Sequence, residues 1–257
     1  MNQAIFRFYS ELNDLLPDVK RGLSFSHRFG ADQSVKHLVE ALGVPHTEVD
    51  LILVNGEAQN YAYVVQDRDR VSVYPRFRSI DVAPVTRVRP RPLAIHRFVL
   101  DGHLGRLAAY LRMMGFDTLY RNDYGDEELA QVSQTEERIL LTRDRGLLKR
   151  AMVTHGYWIR ETESRRQLVE VLRRYDLSGA ADPFVRCLAC NGLLRPVAKE
   201  AIAERLPADT RRHYDEFRVC KSCGNLYWEG PHVERMRRLA SWAIECAKPG
   251  RELDLEP

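Results

Sequence analysis

Apolar and polar positions alternate through "AIFRFYSEL" near the amino terminus, the period-two rhythm of a strand with one buried face. "SVKHLVEALGV" has the spacing of a short amphipathic helix that stops at Gly43, and "DLILVNGEA" and "RVSVYPRF" read as two further strands. Asn55-Gly56 suits the tight turn of a hairpin, because both central residues must take positive φ. From Arg97 the pattern changes to an alternation of strands and helices. "FVLD" predicts a short strand, and "HLGRLAAYLRMMG" a helix with Leu104, Leu107, Ala108 and Leu111 on one face, closed by Gly115. The series continues with a strand in "DTLYRND", a helix in "DEELAQVSQTEE", a strand in "RILLTRD", a helix in "RGLLKRAMVTHG" closed by Gly156, a strand in "YWIRE" and a helix in "ESRRQLVEVLRRYDL". Repeated β-α units imply a parallel sheet covered by helices, so the fold class is α/β behind an α+β amino-terminal domain.

The first block, residues 1–78, resembles the β-grasp, ubiquitin-like domains related to the sulfur carriers of thiamine and molybdopterin synthesis. Those carriers end in Gly-Gly, whereas this block runs into Pro75-Arg76-Phe77-Arg78. Sulfur transfer is therefore not expected, and the block reads as an interaction or RNA-contacting module. Residues 79–96, "SIDVAPVTRVRPRPLAIH", carry prolines and arginines without apolar periodicity and read as an extended basic linker, either a solvated spacer or an arm resting on phosphates. The α/β block is expected over 97–180, a cysteine-bearing ribbon with a terminal helix over 181–246, and a tail over 247–257.

Composition narrows the class. The chain has 257 residues, 44% hydrophobic and 29% charged, and 39 Lys+Arg against 36 Asp+Glu leave a formal charge of only +3. Any nucleic-acid affinity must then come from local patches. No apolar run is long enough to span a membrane, and "MNQAIFRFYSELNDLL" has no secretory pattern, so a cytoplasmic protein without a membrane partner is expected. Five cysteines, four of them in two C-x-x-C pairs, point to metal rather than to a disulfide framework.

Asp144 stands between Arg143 and Arg145 where an apolar run breaks before a helix. It can cap that helix. It can also be one of several acids at the carboxyl edge of a parallel sheet, where such folds hold their ligands. Asp101 ends the first α/β strand, Asp123 follows the second and Asp144 ends the third, while Asp126, Glu127 and Glu128 open the intervening helix. Acids crowded together need divalent cations or protons to offset their repulsion. A carboxylate group around Mg2+ or Mn2+ is suited to phosphodiester hydrolysis, since the ions activate water and neutralise the phosphate. Arg106, Arg112, Arg143 and Arg145 are candidates for holding a phosphate or for pairing with the acids.

Cys187-x-x-Cys190 and Cys220-x-x-Cys223 are each followed closely by a glycine. Two such turns presenting four thiolates fill a tetrahedral Zn2+ site, which makes it structural; redox C-x-x-C chemistry is the competing reading. Tyr227 and Trp228 follow the second pair, placed either to stack on single-stranded RNA or to pack the ribbon, and Cys246 lies outside both pairs.

Together, "FVLDGHLGRLAAYLRMMGFDTLYRND", "DEELAQ", "ILLTRDRGLLKR" and the four cysteines resemble the Mut7-C family, a branch of the PIN-like ribonucleases with a carboxy-terminal zinc ribbon, and the amino-terminal block resembles the ubiquitin-like domain often fused to it. The resemblance implies Mg2+- or Mn2+-dependent hydrolysis of RNA. By position it assigns Asp101 and Asp144 to the metal, with Asp126 or Glu127 beside them and Glu161 or Glu163 as candidates for a fourth acid. Endonucleolytic and exonucleolytic action both remain open, as does a noncatalytic RNA-binding or regulatory module that keeps the fold.

Overall fold

In this computed structural model the described residues are 1–77, 80–248 and 250; most of the expected tail 247–257, and residues 78 and 79 at the expected first boundary, lie outside them. In chain order the first elements are β1 (Asn2–Phe8), β2 (Ser24–Phe29), α1 (Val35–Ala41), β3 (Leu51–Val54), β4 (Glu57–Ala58), β5 (Arg70–Tyr74), β6 (Phe98–Leu100), α2 (Gly105–Met113) and β7 (Thr118–Tyr120). They are followed by α3 (Asp126–Thr135), β8 (Ile139–Thr142), α4 (Arg145–Leu148), β9 (Gly156–Trp158), α5 (Ser164–Tyr175), β10 (Leu194–Val197), α6 (Ala208–His213), β11 (Phe217–Cys220), β12 (Leu226–Trp228) and α7 (Pro231–Ala247). Two compact units result, Met1–Ala94 with Gly125–Trp158 and Ile95–Tyr124 with Ile159–Pro257, so the expected 97–180 block contributes to both.

The first unit is built on a five-stranded sheet of order β2-β1-β5-β3-β4, with β1 parallel to β5 and the other pairs antiparallel. This is a β-grasp arrangement. The alternation in β1 buries Ala4, Phe6 and Phe8 on one face, where they meet Val35, Leu38 and Val39 of α1. Ser34 caps α1 by accepting from the His37 amide, and Gly43, at φ +110°, ends the turn after it. At the β3–β4 hairpin Asn55 and Gly56 take φ of +52° and +90°, as the Asn-Gly pair requires. The sequence pattern did not disclose β2, whose burial is shallow and whose "SFSHRF" is mostly polar.

The basic segment after β5 is anchored to the first unit at a few of its residues. Val82 and Val88 are buried, Val88 within the apolar core, and Arg89 makes a bidentate pair with buried Asp50 at 2.6 Å on both branches. One apolar side chain and one ion pair hold this part of a stretch whose composition left open a solvated spacer or an arm resting on phosphates. The same unit contains the parallel pair β8–β9, with Leu140, Leu141 and Thr142 opposite Gly156, Tyr157 and Trp158. The helix expected to run from Arg145 to Gly156 is one turn long, and Gly156 opens β9 instead of closing a helix. Gly156 has a packing reason: a Cβ there would lie 2.6 Å from Leu148 Cδ2 and 3.1 Å from Val153 Cγ1.

In the second unit β6 and β7 pair in parallel, joined by α2. Phe98, Val99 and Leu100 are all fully buried, as are Leu107, Ala108 and Leu111 on the expected face of α2. Helix α5 packs against both α2 and α7. The carboxy-terminal region adds the antiparallel sheet β10-β11-β12, whose small core of Ile202, Leu206 and Phe217 is backed by Tyr214 and Trp228. Among the described residues no helix is long and apolar enough to cross a membrane.

Candidate functional site

Asp101 follows the buried strand β6 and caps a single 3-10 turn, its Oδ1 accepting from the His103 amide at 3.3 Å. The geometry of this turn depends on its glycines. A Cβ on Gly105 would fall 2.7 Å from the Tyr120 hydroxyl oxygen, and that hydroxyl is itself committed, donating to the Gly102 carbonyl at 2.9 Å. A Cβ on Gly102 would meet the Asn122 carbonyl at 3.0 Å. The "DGHLG" stretch is thus shaped so that the chain after β7 can approach the Asp101 turn closely.

Asp144 follows β8 and caps α4. Its Oδ1 accepts from the Gly146 amide at 2.7 Å, and its own amide donates to Thr142 Oγ1 at 2.9 Å. The capping reading of this residue is therefore realised, through one carboxylate oxygen. Asp126 and Glu127 are exposed in the first turn of α3, where the helix dipole favours negative charge, and Asp126 lies 3.7 Å from the Arg150 guanidinium. Asp123 is an exposed partner of Arg121, whose hydrogen bond holds its carboxyl below the usual range. Glu163 caps α5, accepting from the Arg165 and Arg166 amides, while Glu161 donates its amide to Glu170. Among the described residues the only three or more His, Cys, Asp or Glu side chains whose ligand atoms gather within 4.8 Å are the four ribbon cysteines. The acids are exposed or half-exposed hard-oxygen donors, the type that Mg2+ takes one or two at a time while keeping waters and substrate oxygens in its remaining positions.

The four arginines differ sharply. Arg106 and Arg143 are exposed. Arg112 is buried, with Nε donating to the Thr118 carbonyl at 2.9 Å and Nη1 to the Leu188 and Ala189 carbonyls at 2.9 and 2.8 Å. Burial pushes this guanidinium down, and the thiolates of Cys187 and Cys190 oppose that. It ties α2 to the first cysteine turn. Arg145 donates to the Leu15 carbonyl at 2.9 Å and lies 5.4 Å over the Trp158 ring.

The cysteine quartet closes as its spacing predicts. Cys187 and Cys223 sulfurs are 3.6 Å apart and those of Cys190 and Cys220 are 3.4 Å apart; a tetrahedral ion with Zn–S bonds of about 2.3 Å sets its sulfurs about 3.8 Å from one another. Amides of Ser222 and Cys223 point at Cys220 Sγ at 3.4 and 3.5 Å, and the Cys190 amide at Cys187 Sγ at 3.5 Å. Burial raises the Cys220 thiol, but the amides of Cys223 and Ser222 outweigh it and hold it at about 6. Burial and the neighbouring thiols push Cys190 up to about 12. Crowded thiols of opposite tendency fit a closed four-sulfur metal site. Gly192 admits the second turn, since a Cβ there would strike Ser222 Oγ at 2.5 Å and Cys220 Sγ at 2.9 Å.

Asn191 and Arg186 escaped the sequence reading, and Tyr227, read there as stacking on RNA or packing the ribbon, is engaged with the first cysteine turn. Tyr227 donates toward Cys187 Sγ at 3.0 Å and accepts from the Leu188 amide, so its hydroxyl belongs to the cysteine turn, and burial followed by that thiolate raises it far above its ordinary value. Asn191, at φ +69°, accepts from the Thr118 amide at 3.0 Å and donates to Asp117 at 2.9 Å. Arg186 adds bonds to the Gly115 and Asn191 carbonyls. Together with Arg112 they fasten the first cysteine turn to β7. An Asn directly after a metal-type cysteine is the signal that could have suggested this.

Comparison with protein-family models places a Mut7-C RNAse domain over residues 96–240 and a Mut7-C ubiquitin domain over residues 1–81. No curated protein and no solved structure matches the chain. The RNAse-domain match takes in Asp101, Asp126, Glu127, Asp144 and all four ribbon cysteines, and it covers more than half of the sequence. The chain belongs to the Mut7-C RNAse family and carries that family's ubiquitin-like domain at its amino terminus.

Proposed function

We propose that the protein is a metal-dependent ribonuclease, with RNA, probed first as single strands, as its substrate, and with Asp101, Asp144 and one of Asp126 or Glu127 as the carboxylates that hold Mg2+ or Mn2+. The observation that carries this reading is the RNAse-domain match across all of these acids. The position of Asp101, directly after buried β6, and of Asp144, two residues past the end of buried β8, supports it. When bound, the cation would lower the pKa of an attacking water and neutralise the phosphate. The chain's own part is to present acceptor oxygens from fixed turns. Asp144 Oδ1 stays on the Gly146 amide, which fixes the carboxylate's orientation, and Asp101 is fixed similarly by His103. Arg106 and Arg143, both exposed, are assigned to the RNA phosphates together with exposed Arg145, one of whose donors reaches the Leu15 carbonyl, while buried Arg112 gives Nε and Nη1 to backbone carbonyls. Hydrolysis by water at the phosphorus would leave 5'-phosphate and 3'-hydroxyl ends.

Zinc is assigned to Cys187, Cys190, Cys220 and Cys223 in a structural role, and a reducing, cytoplasmic setting suits four free thiols. The capping roles of Asp101 and Asp144 favour the competing reading, a noncatalytic RNA-binding module. Incubating the full chain with structured and single-stranded RNAs in Mg2+, Mn2+ or EDTA separates the two. Cation-dependent, EDTA-sensitive cleavage with 5'-phosphate products is expected; RNA binding without cleavage under every cation would establish the module instead.

A further inference from the structure

We infer that the ubiquitin-like domain is a working part of the nuclease because it holds the Asp144 turn in position, an inference that rests on the reading of Asp144 as a cation ligand. Helix α4 is a single turn of four residues, too short to be stable by itself, so its order must be supplied from outside. Within the first unit part of that order comes from packing on β8 and β9 and part from the described residues 1–77. Arg145, directly after Asp144, donates to the Leu15 carbonyl at 2.9 Å. Lys149, at the end of the turn, donates to the Glu40 carbonyl at 2.6 Å. His46 Nε2 lies 2.9 Å from the Val153 carbonyl, while its Nδ1 is 2.7 Å from Glu40 Oε1.

Trp158 completes the arrangement. Its side chain packs against the apolar core of the β-grasp domain, and its amide donates to Glu48 Oε1 at 2.7 Å. Its indole Nε1 donates to the Arg143 carbonyl at 3.2 Å, and Arg145 lies over its ring. The residues on both sides of Asp144 are therefore held, one by Trp158 and one by Leu15. Glu48 is 1% exposed, so its bond to the β9 amide is made away from water, where losing it leaves a buried acceptor without that donor. A carboxylate that must meet a cation and a phosphate together tolerates little displacement, since misplacement by about 1 Å can cost on the order of a hundredfold in rate. The domain expected to serve affinity or partner choice thus acts on the chemical step.

Two single substitutions in the full-length chain test this. His46→Phe removes the link to Val153 but keeps an aromatic ring edge-on to Tyr61; Trp158→Phe removes the indole bond to Arg143 but keeps the apolar packing. Each is compared with the parent for hydrogen exchange of the Gly146 amide, for thermal midpoint, and for kcat and KM on an RNA that the parent cleaves. The expected result is faster exchange at Gly146 and a kcat about tenfold lower, with KM and thermal midpoint close to the parent's. Unchanged exchange and unchanged kcat in both variants would overturn the inference. Asp144→Asn run in parallel keeps the two claims apart: if it cleaves normally, the reading of Asp144 has failed; if it is inactive while both variants match the parent, only the positioning role has failed.

Discussion

Asp144 joins two roles that a sequence alone leaves as alternatives. Its Oδ1 caps α4 through Gly146, and a capping bond to one oxygen fixes the orientation that a cation ligand needs. Asn caps about as well as Asp, so Asp144→Asn should fold with little change in thermal midpoint. It removes a negative charge from the proposed cation site, and RNA cleavage should fall by about a hundredfold or more, roughly 3 kcal/mol of transition-state stabilisation. Asp101→Asn should act alike, and the double variant should lose little beyond either single one if both carboxylates serve the one cation proposed above. Full cleavage by a well-folded Asp144→Asn protein would leave the residue as a cap only. Gly105 offers a separate check on the Asp101 turn. Gly105→Ala would bring a methyl group to 2.7 Å from a Tyr120 hydroxyl that is already hydrogen-bonded, and should cost about 1–3 kcal/mol in urea unfolding. An unaltered unfolding midpoint would mean that Tyr120 can move aside and that the turn is less constrained than its contacts suggest.

At the level of elements, the ribbon is where local spacing translates most directly into structure. In each C-x-x-C turn the local amides point at the sulfurs, and the pairing of β10 with β11 brings the two turns together. Its apolar core is small, so bound metal should supply much of its stability. Cys220→Ser should release zinc measured by elemental analysis and loosen residues 187–228, while Asp101 and Asp144 keep their caps. Retention of one zinc per chain at normal thermal stability would contradict the assignment. The helix after β8 shows the opposite behaviour. "RGLLKRAMVTHG" has the composition of a three-turn helix, yet only Arg145–Leu148 is helical. His46 lies within hydrogen-bonding distance of the Val153 carbonyl, and Gly156 is needed in β9, so partners remote in sequence outweigh local propensity.

For the molecule as a whole, the basic segment after β5 is anchored to the first unit at Val88 and Arg89. Asp50 is 6% exposed and its bidentate partner is Arg89, a pair whose hydrogen bonds raise the Arg89 guanidinium. Arg89→Met would leave that carboxylate buried without its cation, and should destabilise the first unit by about 2–3 kcal/mol, read as a lower denaturation midpoint; no change would show that water reaches Asp50 readily. The amino-terminal domain should also show no adenylation or sulfur loading by mass spectrometry, since its last strand leads to Pro75-Arg76-Phe77 and not to Gly-Gly. What the sequence determined by itself is what short-range chemistry controls: the α1 and α2 faces, the Asn55-Gly56 turn, the strand-helix alternation that begins at Arg97, the cysteine turns, and the acids that follow β6 and β8. These follow from periodicity, turn stereochemistry and the reach of a two-residue spacer. Only the tertiary structure decided that Arg112 is buried beneath a cysteine turn, that Arg145 and Lys149 are bound to the β-grasp domain, and that Val88 and Arg89 anchor the segment after it. An arginine's charge is visible in a sequence, but the carbonyl or carboxylate that will occupy it lies tens of residues away, and only packing brings the two together.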